Sequence, residues 1–89
     1  MDKAMEFECG QIVFSKCGRD KGLPFMIIKI EGEYLYLCDG SLRKIEKPKK
    51  KKIKHVQRTK CVDSEIAKSL KEGKAILDSD IRKSIAAMS

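Results

Sequence analysis

The side chains with most chemistry to offer in this chain are its cations. Residues 43–60 hold ten of them (Arg43, Lys44, Lys47, Lys49, Lys50, Lys51, Lys52, Lys54, Arg58 and Lys60) against the single Glu46. The remaining residues carry twelve acids to ten bases, so the net charge of +7 originates in this one segment. A cationic run with almost no acid interspersed repels itself, and a polyanion relieves that repulsion best. Phosphate suits it well. Lys49 to Lys52 can follow a phosphate backbone as point charges, whereas Arg19, Arg43 and Arg58 present paired donors for bidentate contact.

Other chemistries find less support. The four cysteines, Cys9, Cys17, Cys38 and Cys61, are separated by 8, 21 and 23 positions, unlike the close pairs of a structural zinc site. Cys17 and Cys38 read as small, half-buried strand residues, and Cys9 as a partly exposed thiol beside Gly10. His55, the only histidine, reads as a strand or loop residue. No glycine-flanked elbow or Cys–His pair provides an activated nucleophile. A chain of 89 residues also has too little apolar material to wall off a deep active site as well as a core. The expectation is a protein that is not an enzyme and uses no metal and no cofactor.

Charged residues make up 37% of the chain, above the ~25% of an average globular protein, but the 42% hydrophobic fraction is enough to fold around a core. Met1 to Glu6 lacks the basic and apolar regions of an export signal, and no run approaches the ~20 apolar residues of a membrane span. The expected location is the cytoplasm, with no membrane partner.

The elements that must position these cations read as strands first and helices later. Gln11 to Cys17, Phe25 to Ile30 and Tyr34 to Cys38 are short apolar, β-branched and aromatic runs separated by glycine-rich turns. Strict alternation places Met26, Ile28 and Ile30 on one face of the second strand and Phe25, Ile27 and Lys29 on the other, so that strand is apolar on both sides and central. In the third, Leu35 and Leu37 are expected to face the core and Tyr34 and Tyr36 to face away. Pro48 and the lysines after it read as an exposed loop over 43–54, and Ile53 and Val56 as parts of one further strand. From Asp63 the pattern turns helical, with Asp63 or Ser64 as cap, Gly73 as stop, and a second cap signal at Asp78-Ser79-Asp80. Two short helices should pack on the strands or on a partner. The division is 1–60 for the β domain and 61–89 for a helical extension.

The segment from Gly10 through Gln11-Ile12-Val13-Phe14-Ser15-Lys16-Cys17-Gly18-Arg19-Asp20-Lys21 to Gly22 is a strand entered from a glycine, left through a second and followed by a basic turn ending on a third. It resembles the KOW motif of ribosomal proteins and NusG-type transcription factors, with Gly18 or Gly22 as the characteristic glycine. Taken from residue 9 to about residue 59, the chain is similar to the fourteenth large-subunit ribosomal protein family of archaea and eukaryotes, and to its short bacterial relatives described as KOW-domain RNA-binding proteins. The resemblance implies a small SH3-like β-barrel, mainly β with a helical tail, that docks on structured RNA.

Resemblance and charge together give the expected RNA-binding residues: Lys16, Arg19, Lys21, Arg43, Lys44, Lys47, Lys49, Lys50, Lys51, Lys52, Lys54 and Arg58, with Gly10, Gly18 and Gly22 as motif glycines. Tyr34, Tyr36 and Phe14 are secondary candidates for stacking on unpaired bases, against a role in core or rim. The expected function is binding of ribosomal or other structured RNA through phosphates and 2′-hydroxyls. The alternative is an SH3-like protein-interaction module docking on ribosomal or transcription proteins.

Overall fold

The structure, a computed structural model, describes residues 7–88; the N-terminal segment read above for export signals lies outside them. Five strands form one antiparallel sheet: β1 (Gln11–Ser15), β2 (Pro24–Glu31), β3 (Tyr34–Cys38), β4 (Lys49–Lys52) and β5 (Val56–Val62). They lie in the order β4-β3-β2-β1-β5. A 3-10 turn, Ile53–His55, joins β4 to β5, and helices α1 (Ser64–Lys71) and α2 (Asp78–Met88) follow. Among the described residues the ladder is open, because β4 pairs only with β3 and β5 only with β1.

The sheet buries both faces. On one, Val13, Phe25, Ile27, Leu35, Leu37, Ile53 and Val56 pack with Phe7. On the other, Ile12, Met26 and Cys38 meet Ile66 of α1 and Ile81 of α2. β2 lies at the centre of the order, which explains its apolar character on both sides. As expected, Leu35 and Leu37 are fully buried while Tyr34 and Tyr36 remain half-exposed.

Alternation along β2 is broken, however, by a register shift between Ile27 and Lys29. The extra residue turns the strand over, so Ile30 pairs with Leu35 and packs on the inner cluster, while Lys29 emerges opposite Tyr36 on the outer face. The sequence expectation that Ile30 shares a face with Met26 and Ile28 is therefore corrected. β1 ends earlier than expected, at Ser15, which leaves Cys17 half-buried but outside the strand. β5 continues past residue 60 to Val62.

The expected loop over 43–54 also changes. Residues 49–52 form β4, paired with β3 from Leu37↔Lys49 to Tyr34↔Lys52. Lysine is a poor strand former by composition, but here the strand lies at a sheet edge, where lysines block pairing with a second chain. Ile53, expected in a strand, is buried in the 3-10 turn and donates its N–H to the Glu33 carbonyl at 2.9 Å.

The helices are held on the sheet. The Asp63 carboxylate caps α1 by accepting the N–H of Glu65 and of Ile66 at 3.0 and 3.1 Å. Gly73, at φ +74°, ends it, with the N–H of Lys74 donating to the Ser69 carbonyl and that of Gly73 to the Leu70 carbonyl. At the start of α2 the Asp80 carboxylate accepts the Leu77 N–H, while Asp78 serves a tertiary contact and accepts the Ile45 N–H at 2.9 Å. Arg82 donates to the Gly40 carbonyl. Gly40 has φ +78°, and any Cβ there would run into the Asp78 carbonyl oxygen. Gly40→Ala should therefore cost roughly 3 kcal/mol or more in urea denaturation. Gly32→Ala, also at positive φ but in open space, should lose only the backbone part, about 1–2 kcal/mol.

Candidate nucleic-acid interface

Two loops dominate one end of the sheet. β1 runs out at Ser15 and β2 begins at Pro24, with Phe14 opposite Pro24. Met26 in turn lies opposite Cys38, where β3 ends, and Leu37 opposite Lys49, where β4 begins. The register therefore puts loops 16–23 and 39–48 side by side, and Leu23 and Leu42 line a common groove with Arg82, Ile85 and Ala86 of α2. These loops present Lys16, Arg19, Lys21, Arg43, Lys44 and Lys47, all exposed. The backbone N–H of Lys16 donates to the His55 carbonyl at 2.9 Å, which adds exposed Lys54 from the 3-10 turn. Among the described residues none of these seven cations forms an ion pair with a carboxylate.

Loop 16–23 has a fixed shape. Gly18 and Gly22 both sit at φ +86°, a left-handed conformation that favours glycine. The Gly22 N–H donates to the Ser15 carbonyl and the Leu23 N–H to the Asp20 carbonyl. Gly10, at φ +89°, has a different task, because a Cβ there would meet the Ala67 side chain at 2.8 Å. It serves the approach of α1. Loop 39–48 is braced by Asp39, whose carboxylate accepts the N–H of Ser41 and of Arg43 at 2.9 and 2.8 Å.

The lysine tract is divided by the period of its strand. Lys49 and Lys51 turn toward loop 16–23, where the Asp20 carboxylate receives both, Lys49 Nζ at 2.5 Å and Lys51 Nζ at 3.0 Å. Lys51 is only 7% exposed and donates as well to Ser15 Oγ at 2.6 Å and to the Cys17 carbonyl at 2.8 Å. Ser15 in turn donates to Asp20 at 2.8 Å. Burial pushes the Asp20 carboxyl upward, but the hydrogen bonds from Lys49, Lys51 and Ser15, with the Lys51 charge, outweigh it and hold the group well below the usual carboxylate range. A Ser–Lys contact can mark a nucleophile and its base. Here the single serine proton is shared between Asp20 and the Cys17 carbonyl, the ammonium is spread over three acceptors, and Ser15, Asp20 and Lys51 are all buried. The cluster is a brace between the β4 edge and the glycine loop.

Lys50 and Lys52 point the other way. Lys50 Nζ lies 4.4 Å from the Tyr34 ring centroid and 5.9 Å from that of Tyr36, and Lys52 Nζ is 6.0 Å from Tyr34. Lys29 Nζ approaches Tyr36 at 5.3 Å and pairs with Glu31 at 3.3 Å. Arg58 is exposed on β5, opposite Val13 of β1. Phe14 is half-buried on β1, apart from the tyrosines on β3.

The twelve expected contact residues thus fall into four places: seven at the loop end and the adjoining turn, two in the Asp20 brace, two on the outer face and Arg58 on β5. The sequence reading of one exposed lysine-rich loop over 43–54 is corrected by the strand at Lys49–Lys52 that divides its cations. Asp20 and Ser15 were missed; the only signal for Asp20 was an acid set between Arg19 and Lys21 in a basic turn.

Burial, followed by the charges of Asp78 and Asp39, pushes the Cys38 thiol up to about 12. Burial and then Glu8 also raise that of Cys9, which disfavours its thiolate. Among the described residues no group of His, Cys, Asp or Glu could hold a metal ion, and no helix is long and apolar enough to cross a membrane. No family model and no curated protein matches the chain.

Proposed function

We propose that this protein is a non-catalytic RNA-binding module of the KOW type, which grips the backbone of ribosomal or other structured RNA with loops 16–23 and 39–48. The observation that carries the reading is the set of seven exposed cations without carboxylate partners among the described residues at one end of the sheet, six on loops held by Asp39 and by the Asp20 brace and Lys54 on the adjoining 3-10 turn. Fixed loops match the fixed backbone of a folded RNA at little entropic cost. Strand order β4-β3-β2-β1-β5 with a 3-10 turn before β5 supports an SH3-like reading of the sheet, and the positive-φ Gly18 and Gly22 support a KOW-type loop.

An RNA titration across salt concentrations tests this. If about five phosphates are neutralised, log Kd against log salt should have a slope of roughly 3 to 5 in magnitude. Binding that is absent or indifferent to salt contradicts the proposal. A second reading, a protein-interaction module, draws on Leu42, 79% exposed, and Leu23, 41% exposed, in the groove that these loops form with α2. Partners that survive complete nuclease treatment would favour it.

A further inference from the structure

We infer that the outer face of β3 and β4 is a second RNA surface, one that takes unpaired nucleotides by stacking their bases on Tyr34 and Tyr36. The inference rests on the RNA-binding reading above and names a substrate class that the loops alone do not require. The helices cover the outer face around Ile12, Met26, Ile28 and Cys38. Beyond them the face carries two ladders across neighbouring strands, Lys29–Tyr36–Lys50 and Glu31–Tyr34–Lys52. Each ring is half-exposed and flanked by ammonium groups.

Two features commit this face to single strands. Side chains two apart on a strand are separated by about 6.8 Å, roughly twice the 3.4 Å rise of stacked nucleotides. The rings therefore suit splayed bases, one on each, and not a helical stack whose base edges and faces are closed to a flat sheet. The charge pattern supplies the second. Lys29 is paired with Glu31, but Lys50 and Lys52 have no carboxylate partner among the described residues and rest on the tyrosine rings. A nucleotide offers both groups what they lack: its base replaces the ammonium on the ring, and its phosphate receives the displaced ammonium. β4 carries this face directly to loop 39–48, so a strand leaving a structured RNA held by the loops can run onto it.

The test compares a short oligouridylate with a blunt RNA duplex. Tyr34 and Tyr36 are the only tyrosines in the chain, so their ring signals in NMR report this surface alone. Oligouridylate should shift both sets of ring signals, and the Tyr34→Leu/Tyr36→Leu variant should bind it at least roughly thirtyfold more weakly, while Tyr34→Phe/Tyr36→Phe binds as the parent does. Duplex affinity should be unchanged in both variants. If the Leu variant binds oligouridylate as tightly as the parent while duplex binding persists, the inference fails and the RNA-binding reading stands. If the parent binds neither RNA, that reading fails as well.

Discussion

Asp20→Ala is expected to destabilise the protein by about 3–5 kcal/mol, the usual cost of leaving one member of a buried ion pair without its partner. For a domain of this size that corresponds to a fall in Tm on the order of 15 °C or more. The cause is the position of Lys51, whose ammonium is buried between Ser15, the Cys17 carbonyl and Asp20 and cannot regain water without pulling the β4 edge from the glycine loop. Lys49, being more exposed, can turn outward. The combined Asp20→Ala/Lys51→Met variant should recover most of the loss, because removing both charges leaves no uncompensated one. Equal destabilisation by the double variant would show that the cluster is not an ion-pair brace.

The same carboxylate gives a pH dependence of known sign. Its native pKa is depressed, so its contribution is fully present above the unfolded value of about 3.9 and is lost progressively as pH falls below it. Acid titration of stability should accordingly be steeper in the parent than in Asp20→Asn below about pH 4.

The alternation of Leu35 and Leu37 with Tyr34 and Tyr36 made the faces of β3 readable, and the Asp63 cap with the Gly73 stop made α1 readable, because each rests on local chemistry. β4 was hidden. Its strand conformation comes from pairing with β3 at an edge, a tertiary effect that outweighs the poor strand propensity of four lysines. The bulge at Ile27/Lys29 was hidden for a related reason, since strict alternation has no place for an extra residue. At the site, sequence identified the cations but not their division. Lys49 and Lys51 differ from Lys50 and Lys52 only in which face of a strand they occupy, and that distinction exists only once the strand is known.

The second large effect follows from that division. Arg19→Ala/Lys21→Ala/Arg43→Ala removes three exposed cations that carry no part of the core, so stability should change by no more than about 0.5 kcal/mol per site. RNA affinity should fall roughly a hundredfold, at about 1 kcal/mol for each phosphate contact, and the salt slope should shrink by about three. Lys49→Ala/Lys51→Ala removes fewer cations but should act first on stability. A triple variant that binds RNA like the parent would place the contact elsewhere.

Ultraviolet crosslinking of the protein to isolated ribosomal RNA, followed by mapping of the modified peptides, tests the central claim most directly. The account predicts crosslinks within residues 16–23 and 39–48, continuing onto the outward side of β4 and β3. Crosslinks confined to α1 and α2, or none above a nuclease-treated control, would contradict it.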